Sequence, residues 1–258
     1  MKRIVVKVGS NVLTRDDGKL DVTRMSAIVD QLVWLKRNGY EIILVSSGAV
    51  AAGRAELHVE HKLDNVEQRQ LFSALGQAKL IGLYYDLFRE YGIKVGQVLT
   101  MKENFSVQDQ YQNMKSCMQV MLENDVLPIV NENDTVCITE LMFTDNDELS
   151  GLVATMMNAD TLVLLTNVDG IYNGNPSNPN TRIIPSVYYD RDISEYASDD
   201  KSSNGRGGMV SKVKTAHEVA NNGIRVLIAN GNATNILVNL KEHPMETLHT
   251  EFVAKPRN

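Results

Sequence analysis

Two lysines stand where a lysine needs a reason. Lys7 lies in the apolar run Ile4–Val8, two residues before Gly9, within KVGSN at Lys7–Asn11. A buried ammonium is costly unless an anion meets it. Aimed at a phosphate from a strand end, it would be helped by the backbone N–H groups of the Gly-Ser turn. The plainer explanation is an edge-strand lysine that reaches water. Lys212 falls in GRGGMVSK, Gly205–Lys212, where three glycines precede a helical pattern. This is not a Walker A motif, which needs GxxxxGK[ST] after a strand. The physics is similar, because free N–H groups and the helix dipole favour phosphate and Lys212 adds a full charge. The plainer explanation here is a flexible Gly-rich loop with an incidental lysine.

Three further constellations lie between them. SSGAVAAG, Ser46–Gly53, puts small residues directly after a strand and lets the backbone approach a ligand. Ser47 offers a hydroxyl and Gly48 an N–H near a helix N-terminus, which suits an anion; a tight turn built for packing is equally consistent. NENDTV at Asn131–Val136 and FTDNDELSG at Phe143–Gly151 follow apolar segments. Their amides and carboxylates (Asn131, Glu132, Asn133, Asp134, Asp145, Asn146, Asp147, with the hydroxyl of Thr144) suit an ammonium, with Asp134 first. Asp147 also stands where it would N-cap a helix starting at Glu148. In LLTNVDGIY, Leu164–Tyr172, a buried strand ends in a polar, glycine-containing turn suited to a nucleoside or to a plain strand exit.

The elements that position these motifs alternate. Strands are expected at Ile4–Val8, Glu41–Val45, Lys94–Leu99, Val126–Val130, Thr161–Thr166 and Arg225–Ala229. Helical periodicity marks Val22–Arg37, Gln68–Tyr91, Gln108–Glu123, Glu148–Met157 and Met209–Asn221. This β-α-β order predicts an α/β fold: a mostly parallel sheet with helices on both faces, right-handed crossovers, and ligands at the C-terminal strand ends. Gly53–Glu67 and the Asn/Pro/Ser/Asp-rich Asn173–Arg206 read as mobile. Composition shifts little along the chain, which reads as one continuous domain, 1–258. Its lobe at about 1–160 carries the acceptor and that at about 161–258 the nucleotide.

Composition narrows the function. The 258 residues are 43% hydrophobic and 22% charged, with a formal net charge of -6. No basic field covers the chain, so nucleic acid is not the expected partner. MKRIVVKVGSNVL is too short and interrupted for a signal peptide or membrane span. No membrane partner and a cytoplasmic location are expected. The two cysteines, Cys117 and Cys137, lack CxxC spacing, and the five histidines form no HExxH. Neither a disulfide framework nor a protein-held metal is expected.

Taken in order, KxGS, SSGAVAAG, NENDTV, FTDND, LLTNVDGIY and GxGGMxxK resemble the amino acid kinase family, over about Lys2–Val238. SSGAVAAG with NEND and FTDND points to the members that phosphorylate glutamate. The resemblance implies a three-layer α/β/α sandwich, with ATP in the C-terminal half and glutamate in the N-terminal half. Carried over residue by residue, it implies that Lys7 and Lys212 contact the transferring phosphoryl group and Asp147 orients them. Ser47 with Gly48, Asp134 and Asn146 would bind glutamate. Lys7, Thr166, Asn167 and the loop Arg206, Gly207, Gly208, Met209, Val210, Ser211, Lys212 would hold ATP. Its product would be γ-glutamyl phosphate, the first step towards proline, with proline as a feedback inhibitor and a homo-oligomer as the assembly. The family often has Asp at the position of Asn167 and Thr at that of Arg206, departures that bear on nucleotide affinity. Many bacterial relatives carry a C-terminal PUA domain, for which a chain stopping at Asn258 has no room.

The chemistry agrees with this reading. A carboxylate acceptor is already an anion at pH 7 and needs no general base. The barrier lies in joining two anions and stabilising charge on the phosphoryl oxygens. Lysines, backbone N–H groups and Mg²⁺ held through ATP phosphates and water meet that need. Three other readings compete. One is a family member acting on aspartate, N-acetylglutamate, carbamate or a nucleoside monophosphate. Another is a dinucleotide-binding oxidoreductase, disfavoured because the first turn lacks GxGxxG. The third is a non-catalytic amino-acid sensor, which need not keep Lys7, Asp147 and Lys212.

Overall fold

The structure is a computed structural model that describes residues 2–136, 143, 145–175, 178, 180–193, 196 and 208–256. Arg206, Gly207, Thr144, Cys137 and much of the Asn173–Arg206 stretch lie outside them.

The chain runs β1 (Lys2–Val8), α1 (Ser10–Leu13), α2 (Val22–Arg37), β2 (Tyr40–Ser46), α3 (Ala49–Arg54), α4 (Asn65–Arg89), β3 (Lys94–Thr100), α5 (Gln108–Glu123) and β4 (Val126–Glu132). It continues through α6 (Asn146–Met156), β5 (Thr161–Thr166), β6 (Ser186–Tyr188), α7 (Met209–Asn221), β7 (Arg225–Asn230), α8 (Ile236–Glu242) and β8 (His249–Val253). The described strands form one sheet in the order β3-β4-β2-β1-β5-β7-β8-β6. Pairing is parallel from β3 through to β7, and β8 turns antiparallel on β7.

Strand periodicity divides the core in two, because alternate side chains point to opposite faces. Val6, Val8, Ile42, Leu44, Val163 and Leu165 face one cluster with Ile28 and Leu32 of α2, Tyr84 and Phe88 of α4, and Leu240 of α8. Val5, Ile43, Val45, Leu162 and Leu164 face the other, with Met118 of α5, Leu149 and Val153 of α6, and Ala216 of α7. The sheet is thus covered on both sides, the three-layer arrangement expected of long apolar strands. Lys7 shares the face of Val5, which turns it towards α6 and α7.

β1 is a central strand, between β2 and β5. The edge-strand explanation of Lys7 is therefore wrong. β1 leads through α2 to β2 on one side, while β4 leads through α6 to β5 on the other. Such a reversal opens a crevice at the C-terminal strand ends, where ligands bind in open α/β sheets.

The segment read as mobile is partly ordered. α4 begins at Asn65 with a capping box: the Asp64 carboxylate accepts from Val66 and Glu67 N–H, both at 2.8 Å, and Glu67 accepts from Asp64 N–H at 2.9 Å. α3 lies directly on α4. A Cβ at Gly76 would come within 1.7 Å of the Ala49 carbonyl oxygen, so the two backbones touch where side chains would separate them. Part of the small-residue run after β2 therefore serves packing.

Candidate active site

The C-terminal end of β1 delivers Lys7 to a carboxylate on the first turn of α6. Lys7 Nζ lies 2.6 Å from Asp147 Oδ1, and Lys212 Nζ lies 2.9 Å from Asp147 Oδ2. Asp147 is fully buried, and the two lysines are 5% and 7% exposed. One carboxylate thus bridges two ammonium groups that would otherwise repel each other. Burial works to raise the Asp147 pKa, but the charges of Lys7 and Lys212 and their hydrogen bonds win and hold it below the usual carboxylate range. The bridge sets two ammonium groups against one carboxylate at the C-terminal end of β1, with the Asp145 carboxyl near enough to feel Lys7 and Asp147.

Helix packing makes the bridge reachable. Lys212 stands in the first turn of α7, whose N-cap is Gly208. The first turns of α6 and α7 meet because the helices pack closely at Gly151. A Cβ there would lie 2.7 Å from Thr215 Cγ2 and 3.0 Å from Val219 Cγ2. Both positive helix ends therefore face the same crevice.

Asp147 does not cap α6. The helix starts at Asn146, and the cap is Asp145, whose Oδ1 accepts from Asp147 N–H at 2.9 Å and Glu148 N–H at 3.0 Å. Asp147 is thereby released for the lysines. Burial first, and the charge of Asp147 second, raise the Asp145 pKa; the Ser211 hydroxyl, Glu148 N–H and Lys7 pull it back without prevailing.

A second polar group gathers at the ends of β2 and β4. Asn146 donates to Ser47 Oγ at 2.8 Å and to Asn131 Oδ1 at 3.0 Å. Gly48 takes φ +103°, a left-handed conformation suited to glycine, at the start of α3. The Ser46 hydroxyl donates to the Ser47 carbonyl at 3.0 Å and accepts from Tyr84 OH at 2.9 Å. Burial pushes the Tyr84 pKa up to about 12, and its hydrogen bond with Ser46 only partly offsets this.

Asp134 is 7% exposed and ion-paired to Arg69 of α4. The same Nη2 of Arg69 lies 3.4 Å from Glu132 Oε2, while Glu132 Oε1 accepts from Phe143 N–H at 3.0 Å. Sequence reasoning did not single out Arg69; a lone arginine on an amphipathic helix carries no local signal.

The nucleotide-side expectations are brought partly together. Thr166 ends β5 and its hydroxyl donates to Asn167 Oδ1 at 3.3 Å. Next to them Asn230, opposite Thr166 on β7, donates to Asp169 Oδ1 at 2.8 Å. Gly208, Met209, Val210, Ser211 and Lys212 open α7, with Arg206 and Gly207 outside the described residues. Among the described residues no group of three or more His, Cys, Asp or Glu side chains is placed to hold a metal. No helix there is long and apolar enough to cross a membrane.

The chain is similar to known proteins over nearly its whole length. The chain is 62% identical over 251 residues to glutamate 5-kinase of Bacteroides thetaiotaomicron, an alignment covering 97% of this chain and 70% of that protein. It is 45% identical to glutamate 5-kinase of Chlorobaculum tepidum, covering 92% of this chain and 65% of that protein. For glutamate 5-kinase 2 of Bacillus subtilis the identity is 40%, covering 97% and 68%. The chain thus spans about two thirds of the length of these relatives. Among solved structures, carbamate kinase from Giardia lamblia bound to AMP-PNP superposes with a TM-score of 0.70 at 14% identity, covering 98% of this chain and 99% of that one. UMP kinase from Ureaplasma parvum does so with 0.67 at 17% identity, covering 98% of each. At that identity the likeness concerns the fold. The model of the amino acid kinase family matches residues 2–230, and with relatives this similar the chain belongs to that family, within its glutamate 5-kinase branch.

Proposed function

We propose that this chain transfers the γ-phosphoryl group of ATP to the side-chain carboxylate of L-glutamate, giving γ-glutamyl phosphate, the first step towards proline. The single observation that carries this is the Lys7–Asp147–Lys212 bridge at the C-terminal end of β1. Two ammonium groups held by one carboxylate retain a net positive charge where phosphoryl oxygens would gather. A preorganised charge in a site shielded from water stabilises a transition state more than the same charge in bulk water does. No general base is required, because the acceptor is an anion already.

On this reading each site residue has a role. Lys7 and Lys212 meet the transferring phosphoryl group and Asp147 keeps them in register. Ser47, Gly48 and Asn146 hold the carboxylate end of glutamate, and Asp134 holds its ammonium. Thr166, Asn167 and the α7 N-terminus from Arg206 to Lys212 take the nucleotide, and Mg²⁺ arrives on its phosphates. The lobe before about residue 160 thus serves the acceptor and the lobe after it the nucleotide. Cytoplasmic location, self-association and inhibition by proline belong to the same reading.

The test is direct. Incubation with L-glutamate, ATP and Mg²⁺ should yield an acyl phosphate that hydroxylamine traps as a hydroxamate. Aspartate, N-acetylglutamate, carbamate and nucleoside monophosphates should fail as acceptors in a coupled ADP assay. Preferred turnover of any of these would overturn the choice of glutamate.

A further inference from the structure

The acceptor side holds a second buried charge cluster, with the proportions of the first reversed. Glu132 and Asp134 are 1% and 7% exposed, and both lie against Arg69 of α4. Glu132 is already committed, since Oε1 accepts from Phe143 N–H at 3.0 Å and so anchors the chain leading to Asp145. α4 grips the same loop elsewhere, with Gln77 donating to the Glu132 carbonyl at 3.4 Å and Gln70 to the Thr135 carbonyl at 3.1 Å.

We propose that Arg69 is a positioning residue for the acceptor pocket, its guanidinium holding Glu132 and Asp134 side by side so that Asp134 keeps a carboxylate ready for the substrate ammonium. The inference rests on the glutamate reading above. Two carboxylates buried side by side repel each other unless a cation lies against both. Arg69 of α4 supplies that cation, its Nη2 meeting both acids.

Two effects of losing Arg69 oppose each other. It competes with the substrate for Asp134, so removal would tighten binding. It also holds both acids in place, so removal would weaken binding. The second should prevail, because Glu132 and Asp134 are almost fully shielded from water and solvent cannot replace the guanidinium.

The test is steady-state kinetics on Arg69→Gln, Arg69→Lys and the double variant Arg69→Gln/Glu132→Gln, with folding followed by circular dichroism. Arg69→Gln should raise the KM for glutamate about tenfold or more, the scale of a lost charge-assisted hydrogen bond, while the KM for ATP stays within about twofold. Arg69→Lys should fall between the parent and Arg69→Gln. Adding Glu132→Gln should bring the KM back down, because Gln still accepts from Phe143 N–H and Asp134 no longer faces a second acid. A merely structural Arg69 predicts the opposite, with the double variant worse than the single.

If Arg69→Gln does not fold, the Lys pair decides. Arg69→Lys should raise the KM a few-fold, and Arg69→Lys/Glu132→Gln should recover it. An unchanged KM in the Arg69 variants, an equal loss in both substrates, or a double variant worse than its single overturns the proposal. Turnover of glutamate by the parent separates the two readings. A parent that does not phosphorylate glutamate overturns the function, whereas an active parent with a flat Arg69 series overturns only the role of Arg69.

Discussion

The Lys7–Asp147–Lys212 cluster and the Arg69–Glu132–Asp134 cluster use the same ingredients in inverse proportion. The first sets two cations on one acid, the second two acids on one cation. Each is buried, and the ion pairs among the described residues set an excess of one sign against its partner, positive in the first and negative in the second. A substrate with an anionic reacting end and a cationic tail would complete both. The comparison also separates two uses of buried charge. A surplus at the reacting end can stabilise charge that develops during transfer, whereas a surplus at the tail binds ground state and transition state alike.

The largest break in this symmetry should come at the reacting end. Lys212→Ala should lower kcat by roughly two orders of magnitude or more, the scale of a lost preorganised charge. Lys212→Arg should not restore it fully, since a planar fork does not replace a point charge. A folded Lys212→Ala enzyme with near-normal kcat would show the bridge to be structural only.

At the tail end the effect should be smaller and of another kind. Asp134→Ala should mainly raise the KM for glutamate, by a factor corresponding to about 1.5–3 kcal/mol, and spare that for ATP. N-acetylglutamate, which lacks the ammonium, should lose a comparable amount with the parent enzyme. Equal use of acetylated and free glutamate would remove Asp134 from the ammonium site.

The smallest effect concerns stability. Asp145 carries a raised pKa in the folded state, so its ionised form is disfavoured by folding. A raised carboxylate contributes most below its unfolded pKa and loses that contribution as pH rises through the folded value. Asp145→Asn keeps an oxygen to cap α6 and removes the ionisation. Its Tm should therefore exceed the parent's at pH 7, and the difference should shrink as pH falls through the raised folded value and be gone by about the ordinary carboxylate value of 3.8. Asp147 has the opposite sign: its lowered pKa stabilises the fold above that value and ceases to do so in stronger acid. A lower Tm for Asp145→Asn at pH 7 would show that the Asp145 charge is needed where it sits.

Much of the architecture was legible because apolar periodicity is a local signal. The long strands and helices fall within a few residues of their expected limits. Those with weaker local signals were missed. α3 is built of small residues in AVAAGR and shows no amphipathic face. β6 has three residues, α8 and β8 are short, and all three depend on packing against neighbouring elements rather than on a local pattern. The start of α4 could have been found, since Asp64 and Glu67 stand three apart as a capping box requires.

Among the site residues, the sequence by itself marked Lys7, Lys212, Asp134, Asn146 and Asp147, because lysines beside glycine turns and runs of amides and acids are unusual wherever the chain folds. It could not decide what each one touches. Asp147 read equally as a helix cap until the structure gave that task to Asp145. Arg69 lies 63 residues before Glu132 and 65 before Asp134 in the chain, yet only their meeting gives it a role. Such pairings depend on which strand ends and helix starts share an edge of the sheet. That is set by packing across the whole chain, and no window of sequence contains it.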